Sequence, residues 1–333
     1  MTIGSMSFRD RDLLETANGW ADSAVDFATA TVLSTWGSAP RDVGSFMIIN
    51  RSGEFYGSVS GGCVENAVVV AAQHSIETKR SSLIEFGVSD EDVIGIGLAC
   101  GGQIQILIEP STSDQGHWVP QAFTRMEKRE RSTLIRTFNL SGKNINSVAY
   151  ASWLPVGDPG LGTITGFDKS GGAFLQTFSA HKRVVIIGGV HIAQALVESL
   201  NSLDFETIIV DPRTLWANPE RFPNTKVINA WPEDALSEIG IDKDTAIVAL
   251  THDPKFDDKA ISISLRSNAF YVGALGGSKS AAARRERLIA EGLTSAELDK
   301  LRTPIGLSIG AKGPAEIAVS VVAQLIQISR GEK

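Results

Sequence analysis

Arg183-Val184-Val185-Ile186-Ile187-Gly188-Gly189-Val190-His191-Ile192-Ala193 decides the fold of the second half of the chain. Val184 to Ile187 is an unbroken apolar run, as expected of a strand covered on both faces in a parallel sheet. Two glycines then punctuate the chain, and Ile192, Leu196, Leu200 and Leu203 mark one face of a helix. Thr207–Val210 reads as a second strand ending in Asp211-Pro212-Arg213. Further strands are expected at Lys226–Asn229, Ala246–Leu250 and Phe270–Val272, with helical segments between them. A last helix from Pro314 to about Arg330 carries Pro in its first turn and Glu316 nearby, both favourable at an N-terminus. Strand–helix alternation of this kind indicates a Rossmann-like, doubly wound α/β domain over residues 181–333.

The glycine turn is also a candidate ligand site. Its pattern is G-x-x-x-x-A where a dinucleotide fingerprint has G-x-G-x-x-G/A, so Val190 replaces the glycine that lets a pyrophosphate approach. Asp211 ends the second strand, where an acid binds a ribose hydroxyl. Gly188, Gly189, His191, Asp211 and Arg213 are therefore candidates for holding a cofactor. His252 and Asp253 follow the strand Ala246–Leu250, and ligands of such sheets bind outside the strand carboxyl ends. Two later glycine turns, Gly273 to Lys279 and Gly310 to Pro314, place Gly276 with Lys279, and Lys312, just ahead of helices. Free backbone N–H groups beside a lysine make a reasonable anion site; ordinary helix capping is the competing explanation.

Residues 1–180 read as a separate α/β domain, with the boundary near Ser179–Lys182. An opening helix is expected over 8–28, a strand at Thr31–Trp36, and a hairpin of Ser45–Asn50 with Glu54–Ser58. Strands at Ser82–Phe86 and Gln103–Glu109 follow, the second ending before Pro110, then a helix over 118–131 and several strands up to about 178. Between the hairpin and the next helix lies Gly57-Ser58-Val59-Ser60-Gly61-Gly62-Cys63-Val64-Glu65. Val64, Ala67, Val68, Ala71 and Ala72 then share a helical face, which puts Cys63 at a helix start. The other cysteine, Cys100, sits in Gly97-Leu98-Ala99-Cys100-Gly101-Gly102, so each thiol lies against paired glycines. Free cysteine is commonly just a small buried apolar residue, and pairing with glycines is what singles these two out.

Composition bounds the function. A chain of 333 residues with 43% hydrophobic and 21% charged residues is long enough for two ordinary cores. A net charge of −7 without a basic stripe excludes a nucleic-acid binder. Two cysteines make no disulfide framework and suit a reducing cytoplasm. Met1 to Asp10 lacks the make-up of a secretory leader, and no apolar run is long enough to span a bilayer. No H-E-x-x-H, C-x-x-C, G-x-S-x-G or P-loop occurs, which argues against a protein-built metal site, a serine hydrolase or an NTPase.

An ordered series of motifs resembles the XdhC/CoxI family. It comprises Gly37-Ser38-Ala39-Pro40-Arg41, the GSVSGGCVE stretch, the CGG strand ending in Ile108-Glu109-Pro110, Val210-Asp211-Pro212-Arg213 and Leu250-Thr251-His252-Asp253-Pro254. Gly273-Ala274-Leu275-Gly276, Pro304-Ile305-Gly306-Leu307, Ile309-Gly310-Ala311 and Pro314 to Ser320 complete it, so the resemblance covers nearly the whole chain. It implies an accessory factor for molybdenum hydroxylases such as xanthine dehydrogenase, commonly a homodimer. Such a factor binds the molybdenum cofactor (molybdopterin), protects it during sulfuration by a donor such as a cysteine desulfurase, and hands it to the apo-enzyme. Under that reading Cys63, Glu65, Cys100 and His252 carry the chemistry, with Cys63 facing bound molybdenum. Gly61, Gly62, Gly188, Gly189, His191, Asp211, Arg213, Asp253, Gly276, Lys279 and Lys312 hold the cofactor. The chain departs from the family pattern at Val190, at Lys279 and Lys312 where arginine is usual, and at Ser308 where an acid is usual. Two other classes compete. One is an NAD(P)-dependent oxidoreductase with Asp211 on the ribose and His191 or His252 as acid/base; the other is a protein-docking factor with purely structural glycine turns.

Overall fold

A computed structural model describes residues 10–37, 41–87, 102–111, 117–141, 144–154, 165–168, 172–179, 181–203 and 205–331. Ser38 to Pro40, and Cys100 with Gly101, lie outside the described residues. The chain divides into two compact units, Met1–Ala180 and His181–Lys333.

The first unit opens with α1 (Asp10–Asp22), β1 (Phe27–Trp36), β2 (Phe46–Asn50), β3 (Phe55–Gly57) and α2 (Glu65–Thr78). β4 (Ser82–Phe86), β5 (Gln103–Pro110), α3 (Val119–Glu127), β6 (Ser132–Ser141), β7 (Asn144–Trp153), β8 (Gly166–Phe167) and β9 (Ala173–Phe178) follow. Five strands form an antiparallel sheet in the order β3-β2-β1-β5-β4, and four form a second in the order β7-β6-β9-β8. The opening helix is shorter than expected. Ala24 turns the chain with φ of +55°, and β1 begins at Phe27 because the first seven residues of that strand are buried. Pro110 belongs to β5 after all, as its last residue opposite Ala28, beyond the point where the neighbour on the other side ends.

The two faces of β1 serve different layers. Ala28, Ala30 and Val32 pack with Val64, Val68, Ala72 and Ile76 of the α2 segment, so α2 is pinned to the five-stranded sheet along one stripe. Phe27, Phe46 and Ile48 face the other way, onto Leu13 and Leu14 of α1, Val119 of α3, and Leu134 and Phe178. Between the sheets Arg136 and Glu109 form an ion pair at 3.0 Å, with both side chains almost wholly buried. Arg136 also donates to Gln176 Oε1 at 2.8 Å and lies 4.9 Å from the Trp118 ring.

His117 is enclosed beside that pair. Its Nδ1 accepts from Val119 N at 3.3 Å, which leaves Nε2–H to donate to the Glu109 carbonyl, also 3.3 Å away. Burial pushes the imidazole pKa down to about 3. The native ring is thus neutral while an unfolded one charges below about 6.5, so stability present above that pH is lost as pH falls toward the folded value. Urea unfolding of the first unit is expected to lose about 2 kcal/mol between pH 7 and pH 5, with His117→Phe removing most of that slope. An unchanged slope in the variant would refute the assignment.

The second unit begins with β10 (Lys182–Ile187), α4 (His191–Asn201), β11 (Phe205–Val210), β12 (Lys226–Ile228) and α5 (Pro232–Ile239). β13 (Thr245–Ala249), α6 (Pro254–Leu265), β14 (Tyr271–Ala274), α7 (Ser278–Ala290), α8 (Ser295–Leu298), β15 (Leu301–Arg302) and α9 (Pro314–Ser329) complete it. The sheet order β12-β11-β10-β13-β14-β15, parallel throughout, is that of a dinucleotide-binding doubly wound fold. Val184, Ile186 and Val248 face α4 and α9, while Val185, Ile187 and Ile247 face α5 and α6. Leu196, Leu200 and Leu325 are fully buried there, each contributing roughly 2 kcal/mol of apolar burial. β15 and α8 have no counterpart in the sequence patterning; the strand is only two residues long.

Candidate functional site

The turn from Ser58 to Val64 is built around one carboxylate. Glu65 is the first residue of α2 and 7% exposed. Its Oε1 accepts from Ser58 Oγ at 2.7 Å, Val59 N at 3.3 Å and Ser60 N at 3.0 Å. Its Oε2 accepts from Ser60 Oγ at 2.6 Å, Gly62 N at 2.9 Å and Val64 N at 3.2 Å. The two hydroxyls also accept: Ser58 Oγ from Gly61 N at 2.9 Å, and Ser60 Oγ from Cys63 N at 3.0 Å and Val64 N at 3.1 Å. Every backbone N–H from Val59 to Val64 thus ends on a side chain of the same turn. Burial raises the carboxyl's pKa, but the Ser60 and Ser58 hydroxyls and the backbone N–H groups outweigh it and hold it at about 2. Gly61 and Gly62 supply φ of +79° and +121°. Arg41 ties the turn from outside, its Nε 3.2 Å from the Ser58 carbonyl.

The turn presents Cys63 as a free, exposed thiol immediately before the N-cap Val64. Glu65 differs from the sequence expectation. Six donors fill its two oxygens, so it closes the turn and has no lone pair left for a pterin or a proton transfer. Ser58 and Ser60 escape sequence reasoning, because in sequence they read as ordinary loop hydroxyls. Among the described residues, Cys63 has no second thiol beside it to pair with.

In the second unit, Gly188 has φ of +105°, and a Cβ there would strike the Thr251 methyl. A Cβ on Gly189 would run into the Trp216 carbonyl oxygen. Both glycines are required by the protein's own packing. Val190 caps α4 with an extended backbone and no side-chain hydrogen bond, and His191 opens the helix in an exposed position, edge-on to Trp216 at 6.5 Å.

Asp211 is 1% exposed and saturated. Arg213 donates to it from its backbone N at 3.0 Å, from Nε at 2.9 Å and from Nη2 at 2.7 Å, and Gly189 N adds a further bond at 3.0 Å. Burial opposes ionisation, but these donors hold the carboxyl below its ordinary range. Arg213 itself lies 5.5 Å from the Trp216 ring and 5.2 Å from Phe256. Arg221 flanks Trp216 at 5.3 Å and reaches Gln194 of α4 at 3.0 Å. A sugar hydroxyl would reach Asp211 only by displacing Arg213.

His252 adopts φ of +62° after β13, and its N–H donates to Asp257 Oδ2 at 3.0 Å. Asp253 is the N-cap of α6, accepting from Lys255 N at 2.9 Å. The organiser is again a carboxylate in the following helix. Asp257, fully buried, also accepts from Thr251 N at 3.1 Å and Thr251 Oγ1 at 2.7 Å, and pairs with Arg284 at 3.3 Å. Arg284 bridges on to Asp258 at 3.3 Å, and Arg287 reaches Asp258 at 2.6 Å. Burial raises the Asp257 carboxyl's pKa against the pull of Thr251 and Arg284. No local pattern announces these buried charges, since 27 residues separate Asp257 from Arg284.

The two lysine turns part company. Gly276, at φ of +144°, and Gly277 lead into α7, which has no side-chain cap and no acid in its first turn, with Lys279 exposed. At α9 the expectation of free N–H groups fails. Glu316 at the third position reaches back to Lys312 N at 2.7 Å and Gly313 N at 3.3 Å. In this unit α4 and α7 are the helices whose N-termini carry neither a side-chain cap nor a first-turn acid; Asp211 takes Gly189 N just ahead of α4, which makes α7 the more open of the two.

The profile of the XdhC Rossmann domain matches residues 184–325, and that of the XdhC and CoxI family matches residues 20–87. A Bacillus subtilis (strain 168) protein, described as a probable component of xanthine dehydrogenase, is 30% identical over 322 residues, 90% of this chain and 92% of its own length. The Escherichia coli (strain K12) molybdenum cofactor insertion chaperone PaoD is 26% identical over 298 residues, 90% of this chain and 82% of its own. A crystal structure described as a xanthine dehydrogenase from Bacillus halodurans superposes with a TM-score of 0.77 at 27% identity, covering 98% of this chain and 97% of the other.

Proposed function

We propose, since this chain belongs to the XdhC and CoxI family, that it is an accessory factor which carries the molybdenum cofactor as cargo. It binds the cofactor, shelters it during sulfuration and hands it to a molybdenum hydroxylase such as a xanthine dehydrogenase. The observation that carries this reading is Cys63, an exposed thiol on a turn whose own N–H groups are all engaged. A thiolate is a soft donor suited to molybdenum. The phosphate end of a pterin cofactor suits a helix N-terminus left without a carboxylate, and α7 with Lys279 offers that chemistry. His191 and His252 remain candidates for contact with the cargo. The partners this role requires are a cysteine desulfurase or similar sulfur donor, the apo-hydroxylase, and a second copy of the chain in a homodimer, all in the cytoplasm. No described helix is long and apolar enough to cross a membrane.

The competing reading, an NAD(P)-dependent oxidoreductase, meets two obstacles: Val190 in the turn and an Asp211 already occupied by Arg213. Incubation of the protein with NAD, NADP and molybdenum cofactor, followed by gel filtration, is expected to retain the molybdenum cofactor and neither nucleotide. Tight retention of NAD(P) alone would favour the oxidoreductase.

A further inference from the structure

We propose that Glu65 is a positioning residue for Cys63: its carboxylate fixes where the thiol stands without touching what the thiol meets. This rests on the reading that Cys63 faces the cargo, and it replaces a reactive role for Glu65 with a mechanical one.

The chain of contacts is short. Glu65 Oε2 accepts from the Ser60 hydroxyl at 2.6 Å, which orients the Ser60 oxygen to accept from Cys63 N at 3.0 Å. The same carboxylate grips Gly62 N and Val64 N, the residues on either side of Cys63. Cys63 is therefore held at its own amide and at both neighbours, while its side chain is left exposed.

Only an ionised glutamate satisfies this set. All six of its partners are donors, so a glutamine at this position would point an NH2 group at N–H or O–H groups on one side. Aspartate is one methylene shorter and cannot span both Ser58 and Gly62 from the same helical position. A carboxyl held at about pKa 2 keeps its charge at any physiological pH, which suits a permanent brace and not a proton carrier. Removing the brace lets the exposed stretch Gly61 to Cys63 rehydrate, while Val59 N, Ser60 N and Val64 N are buried and lose their acceptor, so the lesion is centred on the turn and carries some stability cost.

The test uses the full-length protein with Glu65→Gln, the milder Ser60→Ala and Cys63→Ala. Hydrogen exchange of the 58–64 peptide is expected to speed up roughly tenfold in Glu65→Gln and less in Ser60→Ala, with exchange in the second half of α2 unchanged. The pH–rate profile of Cys63 alkylation, read on its own peptide by mass spectrometry, is expected to move in Glu65→Gln by about half a pH unit or more. Delivery of molybdenum cofactor to an apo-hydroxylase falls in Glu65→Gln toward the level of Cys63→Ala, while Cys63→Ala leaves the exchange pattern as in the wild type. Unchanged exchange in Glu65→Gln, or faster exchange with an unmoved alkylation profile and full delivery, overturns the proposal. Full delivery by Cys63→Ala overturns instead the reading of Cys63, and the exchange and alkylation arms still decide the role of Glu65.

Discussion

Cys63→Ala is expected to lower delivery of sulfurated cofactor to a molybdenum hydroxylase by at least about tenfold, a loss of roughly 1.4 kcal/mol or more at the functional step. The fold should not notice. The Cys63 side chain is exposed, and its turn is held through the backbone N–H, which alanine keeps. A surface change of that kind alters stability by no more than about 0.5 kcal/mol, so melting should stay within a degree or two of the wild type. Delivery and stability are thereby separated in a single variant. Serine in place of cysteine sharpens the point, because it preserves size and polarity but not a soft sulfur donor. A Cys63→Ala protein that supports full sulfuration of its client would show that the thiol has no part in the work.

Arg284→Leu is expected to destabilise the second unit strongly. It leaves Asp257 and Asp258, 0% and 4% exposed, without the cation that pairs with both. Asp258 retains Arg287, but Asp257 retains only the Thr251 and His252 donors. Breaking a buried pair by removing one partner costs about 3–5 kcal/mol, which for a unit of this size lowers the melting temperature by roughly 10 °C. The pH dependence has a definite sign. Burial already raises the Asp257 carboxyl above its unfolded value. Loss of the guanidinium raises it further, so the variant is penalised where that carboxyl must ionise and relieved below it. The gap between Arg284→Leu and wild type should therefore narrow on going from pH 8 to pH 5. Adding Asp257→Asn should restore part of the lost stability. A pH-independent deficit would mean that lost packing, and not an orphaned charge, explains the effect.

Legibility of the chain follows the range of the interactions involved. The run Val184–Ile187, its glycine turn and the helical face from Ile192 are local patterns, and the parallel sheet is readable from their repetition. The α2 face is readable for the same reason, since Val68 and Ala72 pack where their spacing puts them. What stays hidden are the destinations of polar groups. Asp211 stands where a ribose acceptor stands, yet Arg213, only two residues on, folds back to close it. Glu316 is visible as a first-turn acid, but its use of the Lys312 and Gly313 amides, which removes an anion site, follows only from the side-chain geometry. Glu65 invites a catalytic reading because it stands close to a cysteine; its six donors come from a turn whose curvature the letters do not reveal. A common device links Glu65, Asp257 and Glu316: a carboxylate in the first turn of a helix folds the preceding loop onto itself. That device is missing at α7, which starts with neither a side-chain cap nor a first-turn acid.

Transfer of cargo from this protein to a hydroxylase can be measured directly. Protein loaded with molybdenum cofactor and freed of excess by gel filtration is mixed with a molybdenum-free hydroxylase, while molybdenum in each protein and hydroxylase turnover are followed together. Molybdenum is expected to leave this protein as it appears in the hydroxylase, with activity rising in step, and an equal amount of free cofactor is expected to give markedly less. Activation no better than free cofactor, or a hydroxylase that gains activity while molybdenum stays bound here, would contradict cargo transfer.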